Sequence, residues 1–375
     1  MGALSHIKVL DLSRILAGPW ASQVLGDLGA EVIKVENPQG GDDTRQWGPP
    51  YMQDEHGHAT EESAYFMCAN RNKRSVCIDM RTAEGQDKLR ELARDCDVLI
   101  ENFKVGGAAK YGLDYTTLSE LNPGLVYCSI TGFGQDGPRA HKAGYDFMIQ
   151  GMTGIMEITG EPEGMPQKVG VAFADVFTGL YGVIGIQAAL AQRARTGKGQ
   201  HIDMALFDCM LAAQANQNLN YLTTGKSPKR MGNAHTSIVP YQVFPVSDGH
   251  IVIACGNNRQ FHNLARALER EDWITDPRFA DNAARLAHRA EAVEQIVEVL
   301  SHWRKLDVLP VLEAAGVPSG PINTIAEALE DPQTLHRQMR IAPEGIPGVR
   351  TPIKFSDAQL QLLRAAPGLG EHDET

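Results

Sequence analysis

The chain has 375 residues, enough for one large domain or two smaller ones with cores of their own. Hydrophobic residues make up 43% and charged residues 22%, an ordinary globular balance that excludes fibrous and disordered classes. The formal net charge of -11 argues against a nucleic-acid-binding protein, while a local basic pocket for a phosphorylated ligand remains compatible with it.

The N-terminus, MGALSHIKVLDLS, runs straight into a strand-like pattern with none of the regions of a signal peptide. His6 breaks the myristoylation pattern, and no charge-free apolar run is long enough to span a bilayer. A cytoplasmic protein without a membrane partner is expected. HIKVLDLS reads as a strand, AGPWASQVLGDLGA as a helix and EVIKVE as a second strand ending at Glu36. SVCIDM, a helix near 83–95, DVLIENF and GLVYCSI continue the alternation, which predicts a parallel sheet with right-handed crossovers. The first unit has the order of a dinucleotide fold, but its turn is DLSRILAGP and lacks GxGxxG. The glycines that let backbone approach a pyrophosphate are missing, so no dinucleotide is expected.

The basic run in ANRNKRSVCIDM, with Arg71, Lys73 and Arg74, reads either as a solvated face or as a phosphate contact. TGFGQDGP (131–138) and CGNN (255–258) follow strands, where amides of Gly-rich turns meet anions or an oxyanion. Plain loops are the alternative for both. Asp175 stands in VGVAFADVFTGLYG, a lone carboxylate among small and apolar residues. It reads as the N-cap of a helix from Val176, or as a group kept for chemistry, or as both. The helix is apolar nearly all round and closes in Arg, Lys and Gly. Gly179, Gly182 and Gly185 leave one flank bare, open to another helix or to a ligand.

QHIDMALFD returns to a strand and a helix, and GKSPKRMGNAHTSIVP reads as a linker. YQVFPVSDGHIVIACGN reads as a hairpin turning at Asp248 and Gly249, with helical patterns from about 258 to 316. The predicted domains are 1–224, a smaller one at 225–325, and a return segment at 326–375. The six cysteines (Cys68, Cys77, Cys96, Cys128, Cys209, Cys255) make no CxxC and no zinc spacing. They read as reduced thiols, and no metal is expected.

Taken together, DLSRILAGPWASQVLGDLGAEVIKVE, GDDTR, NRNKRSVCIDM, DVLIENF, NPGLVYCSITGFGQDGP, AGYDFMIQGMTGIMEITG, VGVAFADVFTGLYG, GKGQHIDMALFD, DPRF and LGEH resemble the class III (CaiB/BaiF-type) CoA-transferases over essentially the whole chain. The resemblance implies an α/β fold: a Rossmann-like large domain built from both ends of the chain, a smaller α+β domain, and an interlocked homodimer. It implies Asp175 as nucleophile, forming an aspartyl anhydride and then an aspartyl-CoA thioester. Coenzyme A is a substrate, and no cofactor is needed. The donor is expected to be succinyl-CoA or acetyl-CoA, and the acceptor a small carboxylic acid of the dicarboxylate type. Carried over onto this sequence, the CoA and substrate positions are Arg14, Leu16, Ala17, Ile78, Arg81, Asn102, Phe103, Lys110, Tyr145, Gly256 and Asn257. Asn37 stands where relatives often carry an arginine, with Arg14 or Arg45 as the replacement. Arg45, Arg230 and His235 are the candidates for the acceptor's second carboxylate. An α-methylacyl-CoA racemase is the alternative on the same fold. It reads AGHD where this chain reads AGYD, and a tyrosine of pKa about 10 is a poor base at neutral pH.

Overall fold

The computed structural model describes residues 1–54 and 56–373. The chain divides into two compact units, Met1–Met156 with Lys168–Ser227 and Pro332–Thr375, and Glu157–Gln167 with Pro228–Asp331.

The first unit is built on six parallel strands: β1 (Lys8–Asp11), β2 (Glu31–Glu36), β3 (Lys73–Cys77), β4 (Val98–Glu101), β5 (Val126–Thr131) and β6 (Gln200–Ala205). Their order is β3-β2-β1-β4-β5-β6, so the direction of winding reverses between β1 and β4. Alternate residues feed opposite faces, as a sheet covered on both sides requires. Val9, Val98, Ile100, Val126 and Cys128 enter one core with α1 (Ala17–Asp27). Leu10, Leu99 and Tyr127 enter the other, with α2 (Ala83–Asp95) and the short helix α3 (Tyr115–Leu121). Most boundaries fall within two residues of the sequence reading, because β-branched runs between turns leave little freedom. Residues 368–373 line the outer edge of β3: the Gly370 and His372 amides reach Ser75, and Asp373 accepts from the Cys77 amide. That edge is thereby covered.

On the first face lie α4 (Asp146–Met152), the long α5 (Phe173–Thr196) and α6 (Leu206–Ala213), and α7 (Asn216–Thr224) follows in the chain. By length and composition α5 could cross a membrane. Here it packs along α1 and over the sheet, with Ala174, Thr178, Val183 and Ile186 buried. Arg193 in its last turn reaches Asp97 at 2.8 Å, and Gly197 ends it in the left-handed region at φ 72°. The bare flank of α5 packs on α1 and on the sheet. A Cβ on Gly179 would lie 2.7 Å from the Ala17 carbonyl oxygen, and Gly182 and Gly185 face Ala21 and Ile202.

The second unit holds a three-stranded antiparallel sheet of β7 (Tyr241–Val246), β8 (Gly249–Ala254) and β9 (Ser319–Pro321), with β8 central. The hairpin turns where DG predicts it, with Gly249 at φ 141°. Phe244, Ile251, Phe261, Trp273 and Phe279 fill its core together with α8 (Asn258–Ala267) and the helices that follow.

The Gly179 contact gives a stability test. Alanine usually improves a helix interior by about 1 kcal/mol over glycine, but overpacking a close contact costs about 1–3 kcal/mol. Gly179→Ala is therefore expected to lower the thermal midpoint. A midpoint at or above that of the unaltered protein would show that α1 retreats from α5 without strain.

Candidate active site

The carboxyl ends of β1, β4 and β5 open into a cavity of about 580 Å³. It lies at the point where strand order reverses, the crevice that open parallel sheets offer to ligands. Its walls are the turn Arg14–Ala17 after β1, residues 102–105 after β4, Thr131 at the end of β5 with Gly132 after it, the segment 140–146, and Asp175. Gly132 and Gly144 cross so closely there that a Cβ on Gly132 would sit 2.5 Å from the Gly144 Cα.

Asp175 is the third residue of α5, so it does not cap the helix; this corrects the sequence expectation. Capping comes from another helix. Asp146 in α4 accepts from the Ala174 amide at 2.8 Å on one oxygen and from Gln150 Nε2 at 2.8 Å on the other. Among the described residues nothing donates a hydrogen bond to the Asp175 carboxylate. Burial pushes its pKa up to about 7, and the neighbouring Asp146 charge pushes the same way. A carboxylate that is desolvated and free of donors keeps its lone pairs available for attack.

Of the positions read from the sequence, Asp175, Arg14, Leu16, Ala17, Asn102, Phe103, Lys110 and Tyr145 are brought together on this one cavity. Ile78 is buried in the core on the α2 face, outside the walls. Arg81 lies outside as well, forked onto Asp79. Gly256 and Asn257 belong to the second unit, where the Gly256 amide donates to Gln260 Oε1 and Asn257 caps α8. Sequence reasoning missed Lys104, His141 and Lys142, which add positive or titratable groups to the walls. It also missed Trp47, which lines the cavity edge-on to Tyr65 with ring centroids 5.2 Å apart. Burial and then the Asp175 charge raise the Tyr65 phenol to about 12, so it stays neutral beside Trp47. No spacing marks these residues; they sit in irregular connections.

The reading of the basic run is corrected. Arg71 and Lys73 neither face solvent nor meet a phosphate: both are buried, paired with Asp27 at 2.6 Å and Asp11 at 3.1 Å. Arg74 pairs with Glu31. Arg45 grips Glu36 with two nitrogens and stacks over Phe66. Arg230 pairs with Glu157, and His235 Nδ1 accepts from the Ser237 amide, both inside the second unit. In the glycine-rich turn, the amides of Gly134 and Gln135 are taken by Thr131 and Asp203, so neither is free for an oxyanion.

Comparison with known proteins follows the same line. The model of CoA-transferase family III matches residues 4–373. The chain is 53% identical to a succinate–glutarate CoA-transferase of Agrobacterium fabrum, over 98% of this chain and 93% of that protein. It is 40% identical to the human succinyl-CoA:glutarate CoA-transferase, over 98% of this chain and 84% of that one. A crystal structure of a CAIB/BAIF family protein from Brucella suis superposes with a TM-score of 0.89 at 58% identity, covering 99% of this chain and 97% of that one.

The raised Asp175 pKa carries a pH-dependent stability cost. Folding takes up a proton between the ordinary aspartate value and about 7. The stability from that proton is complete at low pH and is lost as pH rises through 7. Asp175→Asn cannot ionise, so it is expected to stabilise the protein at pH 8 by on the order of 2 kcal/mol, with the gain vanishing toward pH 4. Urea denaturation at the two pH values measures it; an equal effect at both would show that Asp175 is well solvated.

Proposed function

This chain belongs to CoA-transferase family III, and from that membership we propose that it transfers CoA from succinyl-CoA to a small dicarboxylate, glutarate being the leading acceptor. The observation that carries the mechanism is Asp175: a donor-free, desolvated carboxylate on the wall of a cavity bordered by Arg14, Lys104, Lys110 and Lys142. Those cations suit the phosphates of CoA. Leu16, Ala17 and Phe103 offer apolar contact to its pantetheine arm, and Asn102 and Tyr145 complete the substrate contacts. Coenzyme A enters as a substrate and no cofactor takes part.

An oxygen of Asp175 attacks the donor thioester carbonyl, releasing the CoA thiolate and forming a mixed anhydride. The thiolate attacks the aspartyl carbonyl, expels the donor acid as its carboxylate, and leaves an aspartyl-CoA thioester. The acceptor carboxylate then attacks the aspartyl carbonyl, giving a second anhydride and the thiolate again. Attack of the thiolate on the acceptor carbonyl yields the new acyl-CoA and restores Asp175. CoA held in place throughout makes its two return attacks effectively unimolecular.

The large unit is Rossmann-like, a reading supported by its strand order. The working form is an interlocked homodimer. Phe147 (60% exposed), Ile184 (62%), Leu219 (63%) and Leu222 (75%) are exposed apolar side chains on α4, α5 and α7 that a second copy would bury.

Steady-state assay of succinyl-CoA against an acceptor panel tests the activity. Glutarate and its near dicarboxylate homologues are expected to turn over, with monocarboxylates of equal length far slower. Asp175→Ala is expected to lose about 10³-fold or more in kcat while keeping its affinity for CoA. Turnover of bulky monocarboxylic acids alone would contradict the acceptor class, and an active Asp175→Ala protein would contradict the nucleophile.

A further inference from the structure

The turn after β1 is heavily tethered backbone on the cavity wall. Ile15 sits at φ 74°, in the left-handed region that a β-branched side chain rarely adopts. Such a residue persists only where its surroundings over-determine it. Here they do. The Arg14 amide donates to Asn102 Oδ1 at 3.0 Å, and the Arg14 carbonyl accepts from Asn102 Nδ2 at 2.7 Å. The Ser13 carbonyl accepts from Lys34 Nζ at 3.0 Å, and the Ile15 amide donates to Asp42 Oδ1 at 3.2 Å. Asp42 also takes the Thr44 amide at 3.0 Å, the Thr44 hydroxyl at 2.8 Å and Lys34 Nζ at 2.9 Å. Its side chain is fully buried and does not line the cavity.

We propose that Asp42 is a positioning residue for the coenzyme site. By holding the Ile15 amide on one oxygen and the Lys34 ammonium on the other, it fixes the Arg14–Ala17 turn in the shape that receives CoA. The proposal rests on the reading of the cavity as the CoA site. Asn102 restrains only Arg14, and Lys34 only Ser13, so Asp42 is the group that holds Ile15 itself. Without that acceptor the Ile15 backbone relaxes toward ordinary dihedrals, and Leu16 and Ala17 move with it. Asp42 would then act on coenzyme binding rather than on the chemical step.

A purely structural role for Asp42 is separated by a matched control. Asp27 is equally buried, pairs with Arg71 at 2.6 Å and accepts from Asn72 and Thr351, and none of these residues lines the cavity. Titration calorimetry with free CoA on the unaltered protein, Asp42→Ala, Asp42→Asn and Asp27→Asn reads the difference. Loss of the charged acceptor is expected to weaken CoA binding about tenfold in Asp42→Ala. Asparagine has one acceptor oxygen to divide between Lys34 and Ile15, so Asp42→Asn is expected to bind about threefold or more weakly, and it serves if the alanine variant does not fold. Asp27→Asn is expected to lose thermal stability and keep its CoA affinity within about twofold. In turnover, the Asp42 variants are expected to raise KM for the acyl-CoA donor while KM for the acceptor stays put. Unchanged CoA affinity in the folded Asp42 variants, or an equal loss in Asp27→Asn, would overturn the positioning role alone. Failure of the unaltered protein to bind CoA would instead overturn the reading of the cavity, and this proposal with it.

Discussion

Two lysines carry their charge wholly out of water at the heart of the first unit, and the ligand-facing end of the sheet is organised around them. Lys34 and Lys73 are fully buried, one beside Asp42 and the other beside Asp11. Burial lowers the Lys73 pKa to about 8 even with Asp11 alongside. Burial also works against Lys34, but Asp42, Asp11 and Glu36 together outweigh it and hold that lysine above its ordinary value. Such pairs add little net stability over an apolar core, yet removing one partner is severe. What they supply is direction. Each ammonium must be met by oxygens, and those oxygens are the Ser13 and Pro19 carbonyls and the Asp11, Asp42 and Asn70 side chains. The chain after β1 therefore has one low-energy course, and it leads into the cavity.

The same unit buries two aspartates to opposite effect. Burial alone would raise both. At Asp11, Lys73, Lys34 and the hydroxyls of Ser13 and Ser22 overcome it and bring the pKa down to about 2. At Asp175 no donor and no cation opposes burial, and Asp146 adds a like charge. Asp11 is thus a permanently charged strut, while Asp175 is a carboxylate with unspent reactivity. The division of labour with Asp146 matters here. Because α4 supplies the cap of α5, Asp175 is relieved of structural duty at the helix terminus.

Much of the sheet was legible in the sequence. Apolar runs such as EVIKVE and DVLIE alternate with helical patterns, and backbone geometry allows such strands few arrangements. The membership of Arg14, Asn102, Lys110, Tyr145 and Asp175 in a single site was legible only through family resemblance. Spacing alone left Asp175 between a cap and a nucleophile, because the competing cap, Asp146, lies 29 residues earlier on another helix. The basic run at 71–74 misled for a related reason. Composition marks cations as exposed, whereas Arg71 and Lys73 are buried because Asp27 and Asp11 await them from distant segments. Trp47 left no periodic trace at all, since an aromatic residue in an irregular connection follows no repeat.

The central claim is that Asp175 becomes covalently bonded to CoA. It is tested most directly by mass spectrometry of the protease-digested protein and of its ligands, after brief incubation in D2O with succinyl-CoA and, separately, with a branched acyl-CoA. A CoA adduct on the peptide that contains Asp175, discharged when glutarate is added, is the result the account predicts. No adduct on that peptide, with deuterium appearing instead at the α-carbon of a branched acyl-CoA, would contradict it and point to racemase chemistry on this fold.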